Sequence, residues 1–334
     1  MREEYCSVIA ENLQAIPNGT FEIKRYNALN TNTEFYLDKI TTHTKGKGKI
    51  EVFLVFPGIE VSFHSYLADR VNFHHEAVSS ILEISHCKTG RIGWNMRGDV
   101  AIYLGAGDLC LHTMECCADS EMILPLGYYE GVAITFNLKI LEQELPEILK
   151  ECNFDIDKVY KKIFTDKKPL GIPSSPEIDR VFTAFYDQPR QFRTAYCKLK
   201  AQEVLLYLAQ LNVQEEKELA QYISQHTELI KEIRNYLIEH LNERITIEEL
   251  SKKYLINTST LKSVFKAVYG LPIASYVKEY RIKKAMKLLR ETNDSIAAIA
   301  ESIGYETQGK FTKAFKNSVQ VLPTEYRKMH KNNI

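Results

Sequence analysis

One pattern occurs twice near the end of this 334-residue chain, and it restricts the fold more than any other feature. The first copy is NTSTLKSVFKAVYGLP, residues 257–272, and the second is ETQGKFTKAFKNSVQVLP, residues 306–323. With Phe265 set on Phe315, Leu261 meets Phe311, Val264 meets Ala314 and Lys266 meets Lys316, and a Leu-Pro closes each copy. A short apolar segment and a tight turn precede each one, TIEELSKKYLIN before the first and SIAAIAESIGY before the second. Apolar residues three and four apart form one buried stripe and leave a polar face outside. Helix, short turn, then a helix with a polar edge is the helix-turn-helix pattern. One instance is common by chance; a tandem pair is not.

Charge separates this region from the rest. From His226 onward 19 Lys and Arg face 12 Asp and Glu, a net +7, whereas the preceding residues carry 24 basic against 31 acidic groups. The whole chain sums to zero. Such asymmetry points to a polyanion partner for the basic part. Between the repeats, IASYVKEYRIKKAMKLLRE (273–291) is 19 residues, about 28 Å as a helix. Its apolar positions run Ile273, Tyr276, Val277 and Tyr280, then restart as Ile282, Ala285, Met286 and Leu289. That shift predicts one rod packed against two small subdomains. Thr246 and Glu249 form a capping box, and Gly270 and Pro272 stop the first reading helix. Thr258 and Thr307 are expected as caps.

The elements LKSVFKAVYGLPIASYVKEYRIKKAMKLL and SIAAIAESIGYETQGKFTKAFKNSVQVLPTEYRK together resemble the DNA-binding domain of the AraC/XylS family of bacterial transcription regulators. The GKFTKAFK form is most similar to the siderophore-responsive branch. The resemblance implies an all-α C-terminal domain of two helix-turn-helix subdomains, double-stranded DNA as partner, and two successive major grooves contacted per monomer. It also implies an N-terminal cupin-like domain, a helical dimerisation element, a small-molecule effector and, for an activator, RNA polymerase. Gly309 and Ser263 stand where larger contacting side chains are frequent in the family.

Apolar positions in the reading helices leave Ser259, Lys262, Ser263 and Lys266 outward in the first, and Gln308, Gly309, Lys310, Thr312, Lys313 and Lys316 outward in the second. Glutamine can pair with adenine, and lysine with guanine O6 and N7. Lysines late in a helix hold phosphate. Lys266 and Lys316 are therefore assigned to backbone, and Gln308, Lys310 and Lys313 to base edges.

The first third reads as strands, at 49–56, 79–87, 91–96, 99–104, 109–114 and 131–138, with turn signals KTG (88–90), RGD (97–99) and GAGD (105–108). Short strands with tight turns predict an antiparallel β-barrel or a jelly roll, giving an α+β protein overall. His86, Trp94 and Met96 are the candidates to line an effector pocket in it. His86, Cys87, Cys110, His112, Cys116 and Cys117 are potential metal ligands, but their spacing matches no zinc pattern and no His-x-His triad occurs, so no metal and no cofactor is expected. The segment 191–212 is a helix with more leucine than one stripe needs, which suits either a buried helix or a homodimer interface. Expected boundaries are 1–155 for the sensor, 156–225 for linker and dimerisation helix, and 226–334 for the DNA-binding domain. Seven cysteines without a CxxC pair, no signal-peptide core and no apolar run of membrane length predict a cytoplasmic protein with no membrane partner. A non-enzymatic regulator fits best. The alternatives are a cupin-type metal-dependent enzyme with an accessory DNA-binding tail, and a ligand-independent regulator controlled by a protein partner.

Overall fold

The computed structural model describes residues 8–27, 29, 41–96, 99–118, 120–164 and 168–331. These divide into two compact units that meet at Ser224 and Gln225. In unit 1, seven strands form one sheet in the order β1 (Thr20–Asn27), β3 (Lys47–Phe56), β4 (Ile59–Leu67), β11 (Tyr128–Asn137), β6 (Ile81–Gly90), β9 (Leu109–Thr113) and β12 (Leu170–Ile172). Six more form a second, in the order β13 (Tyr222–Ile223), β8 (Val100–Leu104), β7 (Ile92–Met96), β10 (Glu121–Ile123), β5 (Arg70–His74) and β2 (Thr41–Thr44).

Alternation along the strands builds two cores from the larger sheet. Val61, Leu82, Ile84, Leu111, Val132 and Ile134 point to one face. There they pack against α1 (Ile156–Ile163), α2 (Pro176–Phe182) and α3 (Arg193–Gln210). From the opposite face Val52, Leu54, Tyr66 and Cys110 meet Val71, Trp94, Ile102 and Met122 of the second sheet. Helices, sheet and sheet are thus three layers.

The expected closed barrel is not formed among the described residues. Among the described residues each sheet ends in two edge strands, and three of these four, β12, β13 and β2, are only two to four residues long, which limits their capacity to pair further. β1 also runs parallel to β3, so the sheet is not wholly antiparallel. KTG at 88–90 lies at the end of β6 rather than between strands. The first two residues of RGD, 97 and 98, fall outside the described residues.

Residues 156–224 are not a linker set apart from the sheets. The helices α1, α2 and α3 complete the first core, and the surplus leucines of α3 are used there: Val204, Leu205 and Leu208 are fully buried. A different stripe of this segment is exposed, Phe192 at 51%, Tyr196 at 38% and Leu199 at 62%.

Unit 2 is helical: α4 (Ser224–Glu239), α5 (Ile247–Lys253), α6 (Thr258–Tyr269), α7 (Ile273–Glu291), α8 (Ile296–Ser302), α9 (Gln308–Val319) and α10 (Pro323–Lys331). As its split stripe predicts, α7 packs Tyr276 against Phe265 and Tyr269 at one end. At the other it packs Ile282, Ala285 and Leu289 against Ile299, Phe311 and Phe315.

Candidate nucleic-acid interface

Each reading helix is set by a local device. Asn257 Oδ1 accepts from the Thr260 amide at 2.7 Å and caps α6. Thr258, expected as the cap, is the first helical residue instead. In the second repeat Thr307 is the cap, its Oγ1 accepting from the Lys310 amide at 3.2 Å. The Thr246–Glu249 capping box opens α5 as anticipated. Both reading helices end on a left-handed residue, Gly270 (φ 76°) in one and Gln320 (φ 67°) in the other. These stops lie fifty residues apart, and so do the starts of α7 and α10. The Leu-Pro pairs do not share that register: Pro272 caps α7, whereas Pro323 is the first residue of α10, where its missing N–H costs nothing.

The turns differ by one residue. Leu255 (φ 51°) and Gly304 (φ 82°) take the same left-handed place after α5 and α8. Two residues, Ile256 and Asn257, then lead into α6, but three, Tyr305, Glu306 and Thr307, lead into α9. Glu306 is the addition. Its carboxylate accepts from Lys310 Nζ, and that hydrogen bond and charge, helped by Arg244, hold the carboxyl below the usual carboxylate range.

Leu261, Val264, Phe265 and Phe311, Phe315 are buried, so the polar faces point outward. Ser259, Lys262, Ser263 and Lys266 are all exposed along one side of α6. On α9, Gln308, Gly309, Lys310, Lys313 and Lys316 are exposed and Thr312 is half-buried. Nothing lies within 4 Å of a Cβ built on Gly309, so that position is open backbone. Two further residues share this region. Asn317 is exposed one turn beyond Lys313, and exposed Arg244, from the turn after α4, lies alongside Gln308 and Lys310. Helical spacing could have found Asn317. Arg244 sits in no periodic element and left no signal.

The three expected pocket residues of unit 1 are not brought together. His86 faces the helices: its ring stacks on Phe182 at 4.7 Å and its Nδ1 meets the Tyr186 hydroxyl at 2.7 Å. Burial lowers its pKa to about 4. Met96 is packed in the core between the sheets. Trp94 alone of the three lines a cavity there, of about 50 Å³, together with His64, Glu83 and His112. Among the described residues no group of three or more His, Cys, Asp or Glu is placed to hold a metal ion.

The family model described as "Helix-turn-helix domain" matches residues 250–329, which takes in both repeats. The uncharacterized HTH-type transcriptional regulator YisR of Bacillus subtilis (strain 168) is 33% identical over 128 residues, 38% of this chain and 42% of that protein. A putative AraC-like transcription regulator of Streptomyces lividans is 36% identical over 83 residues, 25% of this chain and 27% of its own. The Transposon Tn10 TetD protein of Escherichia coli is 30% identical over 103 residues, which is 31% of this chain but 75% of TetD. The chain belongs to the AraC-type helix-turn-helix family. Its AraC-type domain is the basic unit 2. The matched region spans less than half of YisR and of the Streptomyces protein.

Proposed function

We propose that the protein is a sequence-specific transcription regulator that seats α6 and α9 in two successive major grooves of DNA and answers to a small-molecule effector through unit 1. One observation carries this: a single compact unit holds two helix-turn-helices, each presenting an exposed lysine-bearing face. The linking helix α7 has 19 residues, about 28 Å, against about 34 Å for one turn of B-DNA. The protein acts in the cytoplasm as a homodimer and, as an activator, meets RNA polymerase. The likeness of GKFTKAFK to the siderophore-responsive branch concerns the reading helix α9. YisR and the Streptomyces relative are named as regulators, which favours this reading over an enzyme with a DNA-binding tail.

The test is selection of a binding site from random duplexes, then footprinting and salt titration. Two protected major-groove segments about one turn apart are expected. Lys266→Ala and Lys316→Ala should weaken all sequences alike and lower the salt slope by about one. Gln308→Ala, Lys313→Ala and Lys262→Ala should each cost ~1–3 kcal/mol at one base pair and relax the preference there. No change in any of these variants refutes the assignment.

A further inference from the structure

One turn of unit 1 gathers three donors that DNA recognition does not use. After β9 the chain bends through residues 113–118, where the Cys116 amide donates to the Thr113 carbonyl at 3.0 Å. Met114 and Cys117 stand three apart on this turn, and their sulfurs meet at 3.8 Å. The turn is tied to both sheets. The Met114 amide donates to the Ile81 carbonyl of β6 at 3.0 Å, and the Ser120 carbonyl accepts from the Phe73 amide of β5 at 3.1 Å. The second tie brings up His75, which follows β5, so that its Nε2 lies 3.7 Å from Cys117 Sγ. Met114, Cys117 and His75 are all buried, and all three line the cavity between the sheets.

The ring of His75 is oriented as a metal ligand's would be. Its Nδ1 meets the Glu76 carbonyl at 2.8 Å. A carbonyl only accepts, so Nδ1 carries the proton and Nε2 turns its lone pair toward the sulfur. Metal-binding histidines are held in this way, through the nitrogen that does not bind. The spacing agrees. Metal bonds of about 2.3 Å to sulfur and about 2.0 Å to nitrogen, spread at about 120°, place S about 3.7 Å from N and about 4.0 Å from a second S. The distances from Cys117 are 3.7 Å to His75 and 3.8 Å to Met114. Among the described residues His, Cys, Asp and Glu alone form no metal-binding group of three; here a thioether supplies the third donor. The donor types select the ion. Thiolate and thioether favour Cu(I), and imidazole suits copper too. Structural zinc takes four ligands from thiolate, imidazole and carboxylate, and thioether is not among them.

We propose that Cys117, Met114 and His75 bind one Cu(I) ion. On binding, the Cys117 S–H bond breaks, a Cu–S bond forms and the proton passes to solvent. Copper stays monovalent, and nothing is oxidised or reduced. The cavity of about 50 Å³ beside these donors has room for an ion smaller than a water molecule. The site goes beyond the regulator reading, since its residues all belong to unit 1 and its occupancy is measurable with no DNA present.

The test uses the full chain under anaerobic, reducing conditions. Cu(I) held by the coloured chelator bicinchoninate is titrated with the protein, and loss of colour reports transfer of one equivalent. X-ray absorption at the copper edge should show two sulfurs and one nitrogen. Cys117→Ser and Met114→Leu should each bind at least roughly tenfold more weakly. Cys116→Ser alters the neighbouring half-buried thiol and should bind as the parent does. Met114→Leu nearly conserves volume, so it decides the matter if Cys117→Ser does not fold. No transfer, a copper edge with sulfur ligands alone, or undiminished binding by Met114→Leu overturns the proposal. Equal weakening by Cys116→Ser overturns it as well, because the copper then sits on accessible thiols. DNA binding to the selected duplex is measured on the same preparation. Intact DNA binding without copper transfer sinks this site and leaves the regulator reading standing; copper transfer without DNA binding does the reverse.

Discussion

Glu306 shows how one residue alters what a reading face can offer. A lysine at 310 is assigned to bases because helical spacing turns it outward, and it is exposed. Its ammonium, however, is held by the carboxylate four residues earlier. That partner comes from the additional residue in the second turn, whose conformation no periodic pattern encodes. On the proposed reading, DNA would have to compete with Glu306 for Lys310, and its phosphates would be repelled by the carboxylate besides. We therefore expect Glu306→Ala to bind DNA more tightly and to steepen the salt slope by about one, because a further cation then becomes available to phosphate. Salt-dependent anisotropy reads this directly; an unchanged slope would mean that Lys310 contacts no phosphate even when released. The outward set on α6 and α9 was legible from sequence because burial follows the 3.6-residue period. The caps were less so: Asn257 and Thr258 are both competent, and only the backbone decides between them.

At the level of elements, legibility followed pattern strength. The bounds of α7 were readable to the residue, since capping and apolar spacing agreed. β4 was not anticipated, although it is nine residues long and lies between β3 and β11. Its sequence IEVSFHSYL alternates apolar with Glu60, Ser62 and His64, which reads as a solvated edge. Those polar residues instead face the second sheet, and the cavity is built from them. Between a barrel and the two sheets of a jelly roll the strand pattern could not choose, because closure depends on which edges meet and not on any one strand. For α3, excess leucine was compatible with burial or with pairing, and Leu205 and Leu208 prove to be core. A dimer through this segment would have to use Phe192, Tyr196 and Leu199. Leu199→Glu should then yield a folded monomer in sedimentation, whereas Leu205→Glu should unfold unit 1, burying a charge at a cost of several kcal/mol. A Leu199→Glu protein that still sediments as a dimer moves the interface elsewhere.

The molecule as a whole should be sensitive to mild acid in unit 1. His64 and His86 both have pKa values lowered by burial to about 4, and His112 is shifted the same way. An unfolded chain takes up protons on these rings near pH 6.5, before the folded one does. Their contribution to stability is complete above about pH 6.5 and is lost as pH falls from there toward 4. Each ring fully affected costs on the order of 1.4 kcal/mol per pH unit in that window. Thermal melts at pH 7.5, 6 and 5 should show a falling midpoint, and a flat profile would contradict the burial of these rings.

Gly304 has a consequence for affinity that no contact with DNA expresses. A Cβ built there would come within 2.2 Å of the Leu241 carbonyl oxygen, which Arg281 also grips at 2.6 Å. The absent side chain lets the turn of the second repeat close onto the first. On the proposed two-groove reading, two readers fixed in this way would behave as a chelate: once one has docked, the other would meet its groove at a high effective concentration. Loosening the joint dilutes the second reader without removing any base or phosphate contact. Gly304→Ala should accordingly bind an isolated half-site as well as the parent does, yet lose most of the gain on a complete site, so that cooperation between grooves is set by one missing methyl group.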